Sequence, residues 1–456
     1  MILPWHWRSL PLNNRTGQEI FARLFLKENN IATLLESPCN SASQQPQLAR
    51  YSLCAGRPRK IKDGLRLWTP KLGKVLPFLR QLLRESNHHF DSNNLPDSLP
   101  FIGGWLGWLG YDLAWEIEVL TALNPDPLPF PVAYWYEPES FAILDNYKQI
   151  LWLATTEKSE LDRLEAKLES EIITFSPPRY FPISARFLTS QEDYEAAVIK
   201  AKKYIRAGDI FQANLSVRFQ ANITANCWDI YRNLQAINPS PFASYWQTPW
   251  GNVISCSPER LIKLENDRAE TRPIAGTRPR GNNLELDRKL EAELISNTKE
   301  RAEHIMLVDL ERNDLGKVCQ WGTVKVDELL VIEKYSHVMH LVSNIIGNLK
   351  PEFDSIDLIK AVFPGGTITG CPKVRCLEII EELEPFRRNL FYGSCGYLDL
   401  KGNLDLNILI RTLLSNNNRV WGQVGAGIVA DSNPEKEWYE SLQKAEAQLT
   451  ALRSLN

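Results

Sequence analysis

The chain has 456 residues, 44% of them apolar and 23% charged, and a formal net charge of −3. By length this is a soluble globular chain of roughly two to four ordinary domains, without the basic balance of a nucleic-acid binder. No stretch approaches about 18 apolar residues, so no membrane span is expected. The opening MILPWHWRSLPLNN lacks the charged and apolar regions of a signal peptide. Eight cysteines in so long a chain do not form a disulfide framework. Reduced thiols and a cytoplasmic location are therefore expected. Cys371 and Cys376 lack a second pair at metal spacing, so zinc is not expected.

Taken in order, Ile31–Ser37 and Arg50–Cys54 read as short strands, with a polar loop between them. Lys74–Arg84 is an amphipathic helix, followed by a loop over Asn87–Pro100. In Phe101–Asp112 (FIGGWLGWLGYD) glycines alternate with aromatics, a pattern for strands whose backbones approach closely. Phe141–Ala154 reads as a hairpin turning at Asp145-Asn146, and Lys158–Ile173 as a charged helix. The proline-rich Thr174–Phe187 is the best linker in the chain. It separates a region of residues 1–175 from one of residues 188–456, the two sharing one globule.

Beyond it, Gln191–Ala207 is a helix stopped by Gly208. Phe211–Phe219 alternates as a strand, and Cys227–Ile237 is a helix ended by Asn238-Pro239. Strands are expected at Ala243–Trp246, Val253–Ser257 and Arg260–Leu264, and a strand pair at Val324–Glu333. Further strands fall in Ser336–Leu349, Gly393–Asp399, Asn407–Leu414 and Val420–Val429. Leu284–Asp314 is mostly helix, as are Asp354–Val362, Val374–Leu383 and Pro434–Leu455. Strands and helices come in clusters, not in a βαβ rhythm, which predicts an α+β fold with antiparallel sheet.

Within Lys299–Gly316 (KERAEHIMLVDLERNDLG), Met306, Leu307 and Leu310 lie within about 60° of Glu303 on a helical wheel. His304, Glu311 and Arg312 point elsewhere. A carboxylate on the apolar face must be paired, protonated or metal-bound. Phe363–Arg375 (FPGGTITGCPKVR) has glycines at P-loop spacing, but Cys371 stands where the lysine is needed. It can still be an anion-binding turn or a plain tight turn. Gly425-Ala426-Gly427 in a strand-like run allows close backbone approach by a carboxylate or by another strand. Glu440 and Lys444 stand at i, i+4 opposite the apolar stripe Trp438, Leu442, Ala445, Leu449 and Leu452. They form a solvated pair or line a cleft. His337 and His340 face opposite sides of a strand, which argues against a metal pair. One of them can serve as an acid or base near neutrality.

Jointly, several stretches resemble the chorismate-utilising enzymes, specifically component I of the aminodeoxychorismate and anthranilate synthases. They are SPERL (Ser257–Leu261), ETRPIAGTRPRG (Glu270–Gly281), KERAEHIMLVDLERNDLG, YSHVMHLVSN, FPGGTITGCPKVRCLEIIEELEP, YGSCGYLDLKGNLDLNILIRTL and GAGIVADSNPEKEWYES. The match runs over about residues 190–450, more loosely before that. It implies a large fold of two antiparallel sheets packed as a sandwich with helices outside. It implies Mg²⁺ held by Glu303 and Glu440 against the ring carboxylate of chorismate. Glu259, Thr277 and His340 match catalytic positions. Gly276, Thr367, Tyr392, Arg411, Gly425, Ala426, Gly427 and Lys444 match substrate-contacting ones.

Relatives that add water carry a lysine base where this chain has Gln212, so the resemblance points to amination. No glutaminase nucleophile motif such as G-x-C-x-G occurs, which implies a separate glutamine amidotransferase subunit supplying ammonia in a heterodimer. Ala275 replaces the lysine of some aminodeoxychorismate synthases and speaks for anthranilate. The stretches FPGGTITG, EPFRRN, YGSCGYL, GNLDLNILIRTL and GIVADS look closer to the aminodeoxychorismate branch, which is the expectation adopted. Ser37, Pro241, Phe242 and Ala243 match the family's tryptophan pocket. Phe242 and Ala243 replace the Tyr and Met usual in its feedback-sensitive form.

Overall fold

Runs rich in Val, Ile, Leu, Tyr and Trp pair side by side into two large antiparallel sheets. The computed structural model describes all residues except 1–4, 28–29, 38–48, 88–95, 97–98, 170–178, 181–182, 336–337 and 456. The expected loops at 38–49 and 87–100 lie largely outside the described residues, as do half of the linker 174–187 and His337.

The first sheet has 12 strands. Its path runs His6–Pro11, Ile150–Thr155, Ser140–Asp145, Tyr51–Ala55, Ala32–Glu36, Phe242–Thr248, Gly251–Ser257, Thr412–Asn416, Arg419–Ile428, Gln212–Asn222 and Arg186–Phe187. Gly370–Cys371 also pairs with Gln212–Asn222. The second has 10 strands, running from Ile274–Pro279 and Val338–Asn348 at one end to Ala133–Tyr136 and Leu67–Trp68 at the other. Strands from both sides of residue 180 build each sheet.

One face of each sheet packs on the other. Trp108 of the second sheet meets Trp246 of the first at 5.9 Å between ring centroids. The Ser244 hydroxyl and Cys395 thiol meet across the same layer at 3.5 Å. On the outer face of the first sheet lie the helices Gln191–Ala207, Cys227–Ile237, Lys373–Leu383 and Pro434–Arg453. The helix Gln191–Ala207 starts where the Ser190 side chain caps the Asp193 N–H, and stops at Gly208 in the left-handed conformation. No helix among the described residues is long and apolar enough to cross a membrane.

Two expectations need correction. Val324–Glu333 is not a strand pair. It is one strand, Lys325–Lys334, kinked by register shifts on either side of Glu328, with Leu330 at positive φ. The expected strand Asn407–Leu414 is broken. Leu404–Asn407 belongs to the second sheet and Thr412–Asn416 to the first, so the chain changes sheets through Ile408–Arg411. A second crossing runs beside it, from Gly251–Ser257 into Arg260–Glu265. The Ile408 N–H donates to the Glu259 carbonyl at 3.0 Å and ties the two together.

The glycine–aromatic stretch forms the strand Gly104–Leu109, entirely buried. A Cβ on Gly107 would lie 2.2 Å from the Tyr134 carbonyl oxygen of the neighbouring strand. Gly107→Ala should destabilise the protein by about 1–3 kcal/mol through overpacking. Urea unfolding measures this, and an unchanged midpoint contradicts the close approach.

Candidate active site

The helix Thr298–Gly316 carries Glu303 where expected but turns a different face inward. Its buried residues are His304, Leu307, Val308, Glu311, Asp314 and Leu315, with Glu303 half-buried at the margin. The polar members explain the difference, because each finds a partner inside. His304 meets the Ser343 hydroxyl at 2.6 Å, Glu311 the Thr271 hydroxyl at 2.6 Å and Asp314 the Lys373 ammonium at 2.6 Å. Apolar spacing alone therefore misplaced the buried face by about one residue step.

That rotation points Glu303 at the strand Gln212–Asn222, whose Gln212 Nε2 donates to Glu303 Oε1 at 2.8 Å. Gly427, on the paired strand Arg419–Ile428, leaves the space. A Cβ there would sit 2.3 Å from Gln212 Nε2 and 3.2 Å from Glu303 Oε1. Two residues back, a Cβ on Gly425 would lie 2.9 Å from the Tyr392 hydroxyl. The Gly425 carbonyl accepts from Lys444 at 3.0 Å, and Lys444 pairs with Glu440 at 2.9 Å. Burial pushes the Glu303 carboxyl up. The Gln212 amide, Lys444 and Lys299 pull it down, and Glu440 adds to the rise. The carboxylates of Glu303 and Glu440, about 140 residues apart in sequence, thus act on one another across residues 425–427.

On the second sheet, Thr277 pairs with His340 across neighbouring strands, and its hydroxyl lies 3.0 Å from His340 Nδ1. The Gly276 carbonyl lies 3.4 Å from the same nitrogen. Gly276 needs its left-handed φ of +70°, and a Cβ there would meet Glu300 Oε2 at 2.7 Å. Burial, helped by the Arg411 cation, lowers His340 to about 4, so the ring is neutral at neutral pH.

Arg411 lies at the end of one sheet crossing with φ +51°, and Tyr392 close by has φ +65°. Both are sparsely populated conformations for residues with side chains, of the kind that cluster at binding sites. The Arg411 guanidinium has no hydrogen-bond or ion-pair partner among the described residues, and its charge is felt by both His340 and Tyr392. Glu259, at the other crossing, is 4% exposed. Burial raises it to about 7 against the nearby Thr367 hydroxyl and Ile274 backbone. Glu259 Oε1 and Thr367 Oγ1 are buried without a hydrogen-bond partner.

The structure therefore brings Glu259, Gly276, Thr277, Glu303, His340, Thr367, Tyr392, Arg411, Gly425, Gly427, Glu440 and Lys444 into one connected site at the seam between the sheets. Ala426 alternates away from Gly425 and Gly427 and is fully buried in the outer core. Ser37, Pro241, Phe242 and Ala243 form a separate corner. The Ser37 hydroxyl donates to the Pro241 carbonyl, and Arg260 stacks on the Phe242 ring at 4.9 Å. A distinct cavity of about 780 Å³ opens elsewhere, between Lys27, Trp228, Tyr245 and Asn252.

Sequence reasoning missed Glu300, Glu437 and Asn214 as site neighbours. Glu437 is buried, raised by burial and coupled to Glu440, Lys299 and Lys444. The signal was present: Glu300/Glu303 and Glu437/Glu440 repeat one i, i+3 spacing on two helices. Asn214 follows Gln212 at strand spacing.

The profile of the chorismate binding enzyme family matches residues 46–450. An "Anthranilate synthase component I-like protein" of Synechocystis sp. is 62% identical over 99% of this chain and 93% of its own length. The "Aminodeoxychorismate synthase component 1" of Bacillus subtilis is 44% identical over 82% of this chain and 80% of its own. The solved anthranilate synthase component I of Streptococcus pneumoniae superposes with a TM-score of 0.78, at 32% identity over 88% of this chain and 92% of that one.

Glu311 lies behind this site. Burial raises it to about 8, with the Glu259 and Asp314 charges adding. The folded chain holds this proton more tightly than the unfolded one, so stability from the group is full below about pH 4.5 and is lost as pH rises through about 8. Glu311→Gln should flatten that decline between about pH 5 and 8, read as urea midpoints. A decline equal to the wild type's contradicts the assignment.

Proposed function

Because the chain belongs to the chorismate binding enzyme family and so acts on chorismate, we propose that it replaces the ring hydroxyl with ammonia, giving 4-amino-4-deoxychorismate. The observation that carries amination is Gln212. A neutral amide, bonded to Glu303, cannot deprotonate water. Ammonia brings its own lone pair and needs no base.

The other residues suit this substrate. The unpaired Arg411 fork fits a carboxylate bidentately, and its charge is felt by Tyr392, whose hydroxyl lies against Gly425. Glu259, at about 7, is shared between its protonated and ionised forms near neutrality and can give a proton to the departing hydroxyl. His340, neutral and fixed at Nδ1 by Thr277, offers its other nitrogen as an acid or base. Glu303 and Glu440 form a fitting oxygen-donor pair for Mg²⁺, a hard cation that binds through one or two carboxylates plus substrate and waters. When bound there it would neutralise the ring carboxylate and polarise the ring.

Ammonia would come from a glutamine amidotransferase subunit. The word "component" in the names of the relatives supports a second chain. The Ser37–Pro241 contact supports a tryptophan pocket at that corner, structural in character given Phe242 and Ala243. The second reading, anthranilate with release of pyruvate, is favoured by Ala275 and by the names of the Synechocystis and Streptococcus relatives.

Purified chain with chorismate, Mg²⁺ and an ammonium salt should yield 4-amino-4-deoxychorismate on chromatography. Fluorescent anthranilate with pyruvate overturns the branch assignment. Glu303→Gln should lower turnover by about 100-fold or more, as loss of a preorganised charge does, while circular dichroism stays unchanged. Retained activity refutes the ligand role.

A further inference from the structure

Arg388 follows the helix Lys373–Leu383 and is 1% exposed, so no substrate can reach it. Its planar fork grips the backbone of the site from behind. Nε and Nη2 donate to the two Glu384 carboxylate oxygens at 2.9 and 2.6 Å. Nη1 donates to the Ile368 carbonyl at 2.8 Å, and Nη2 to the Asn214 carbonyl at 2.6 Å. Ile368 follows Thr367 in the turn Gly366–Ile368, and Asn214 lies two residues after Gln212 on one strand. One side chain therefore spans the two backbone segments that carry Thr367 and Gln212. The same guanidinium lies 4.6 Å from the centroid of the Tyr392 ring and 4.7 Å from that of Tyr111, within cation–π range. Glu384 extends the grip. Its Oε1 also accepts from the Ser216 N–H at 2.8 Å and the Ser216 hydroxyl at 2.7 Å, and Ser216 pairs in register with Gly425.

Another buried arginine shows the contrast. Arg59 donates to Glu137, and its Nε and Nη2 have no hydrogen-bond partner among the described residues. Arg388 instead directs its further donors to main chain beneath the site. We propose that Arg388 is a positioning residue for the reaction: it fixes the spacing between the strand of Gln212 and the turn of Thr367 and seats the ring of Tyr392, without touching substrate. This rests on the reading of the seam as the chorismate site and holds for either product. A lysine keeps the charge but not the fork. Its donors radiate from one nitrogen, which cannot meet Glu384, Asn214 and Ile368 at the fork's spacing or lie flat against a ring. Strand and turn then shift against each other, and misplacing reacting groups by about 1 Å costs up to about 100-fold in rate.

The test compares Arg388→Lys with Arg59→Lys, the same exchange at a buried arginine outside the site. Chorismate consumption by the full chain with saturating chorismate, Mg²⁺ and ammonium chloride gives kcat, and urea midpoints give stability. Arg388→Lys should lower kcat at least about tenfold while Arg59→Lys stays within about twofold of the wild type, whatever either does to the midpoint. A smaller loss in Arg388→Lys overturns the proposal. So does an equal loss in Arg59→Lys, which would trace the effect to a loosened fold. If Arg388→Lys fails to fold, Glu384→Asp, which keeps the charge and draws the carboxylate back by one carbon, is judged by the same comparison. Wild-type chain that consumes no chorismate overturns the reading of the seam, and the proposal with it; a working wild type with an unaffected Arg388→Lys overturns the proposal alone.

Discussion

Two strands cross side by side from one sheet to the other, and the site exists because of that seam. Within a sheet, side chains alternate between two faces and cannot converge from several directions. At the crossings the ladder pattern stops. Glu259 and Arg411 are released from it, held by the Ile408 N–H on the Glu259 carbonyl, by the Ser257 hydroxyl between Glu259 and Ile408, and by the Cys256 N–H on the Arg411 carbonyl. Helices from either layer then deliver Glu303 and Glu440 to the same place. The positive φ values of Arg411 and Tyr392 fall at this seam, where the surrounding packing over-determines the backbone.

The charges around the seam are divided by partner. Structural pairs are closed: Arg388 is 1% exposed, with its guanidinium spread over Glu384, Ile368 O and Asn214 O. Arg260 is likewise held by Asp405 and Glu270. Arg411, Glu259 and the oxygens of Gln212 and Asn214 are left open. Buried polar groups are normally satisfied, and Glu259 Oε1, Thr367 Oγ1, Gln212 Oε1 and Asn214 Oδ1 are among those of this chain that are not. Chorismate, with two carboxylates for Arg411 and a hydroxyl, carries groups complementary to that set.

Much of this was legible in the chain itself. Helices Gln191–Ala207 and Cys227–Ile237 have the expected bounds, because caps and stops such as Ser190, Gly208 and Asn226 are local chemistry. The sheet crossing at Ile408–Arg411 was not legible. ILIR contains no glycine or proline and reads as more strand, and only tertiary pairing breaks it. Glu303 was singled out for lying on an apolar stripe, whereas it stands at the edge of a face whose centre includes His304 and Glu311. Polar residues satisfied by distant partners such as Ser343 and Thr271 leave no periodic trace. Asn214 was passed over because a lone asparagine in a strand carries no motif, and its free oxygen is visible only once its nitrogen is seen to be taken.

The central claim is that the Glu303–Glu440 edge of the seam and the Arg411 side together form one chorismate site that a divalent cation completes. Calorimetric titration of the wild-type chain with chorismate, with and without Mg²⁺, tests it most directly. The account predicts saturable binding that strengthens strongly with Mg²⁺. Equal affinity in both conditions, or no binding in either, contradicts it.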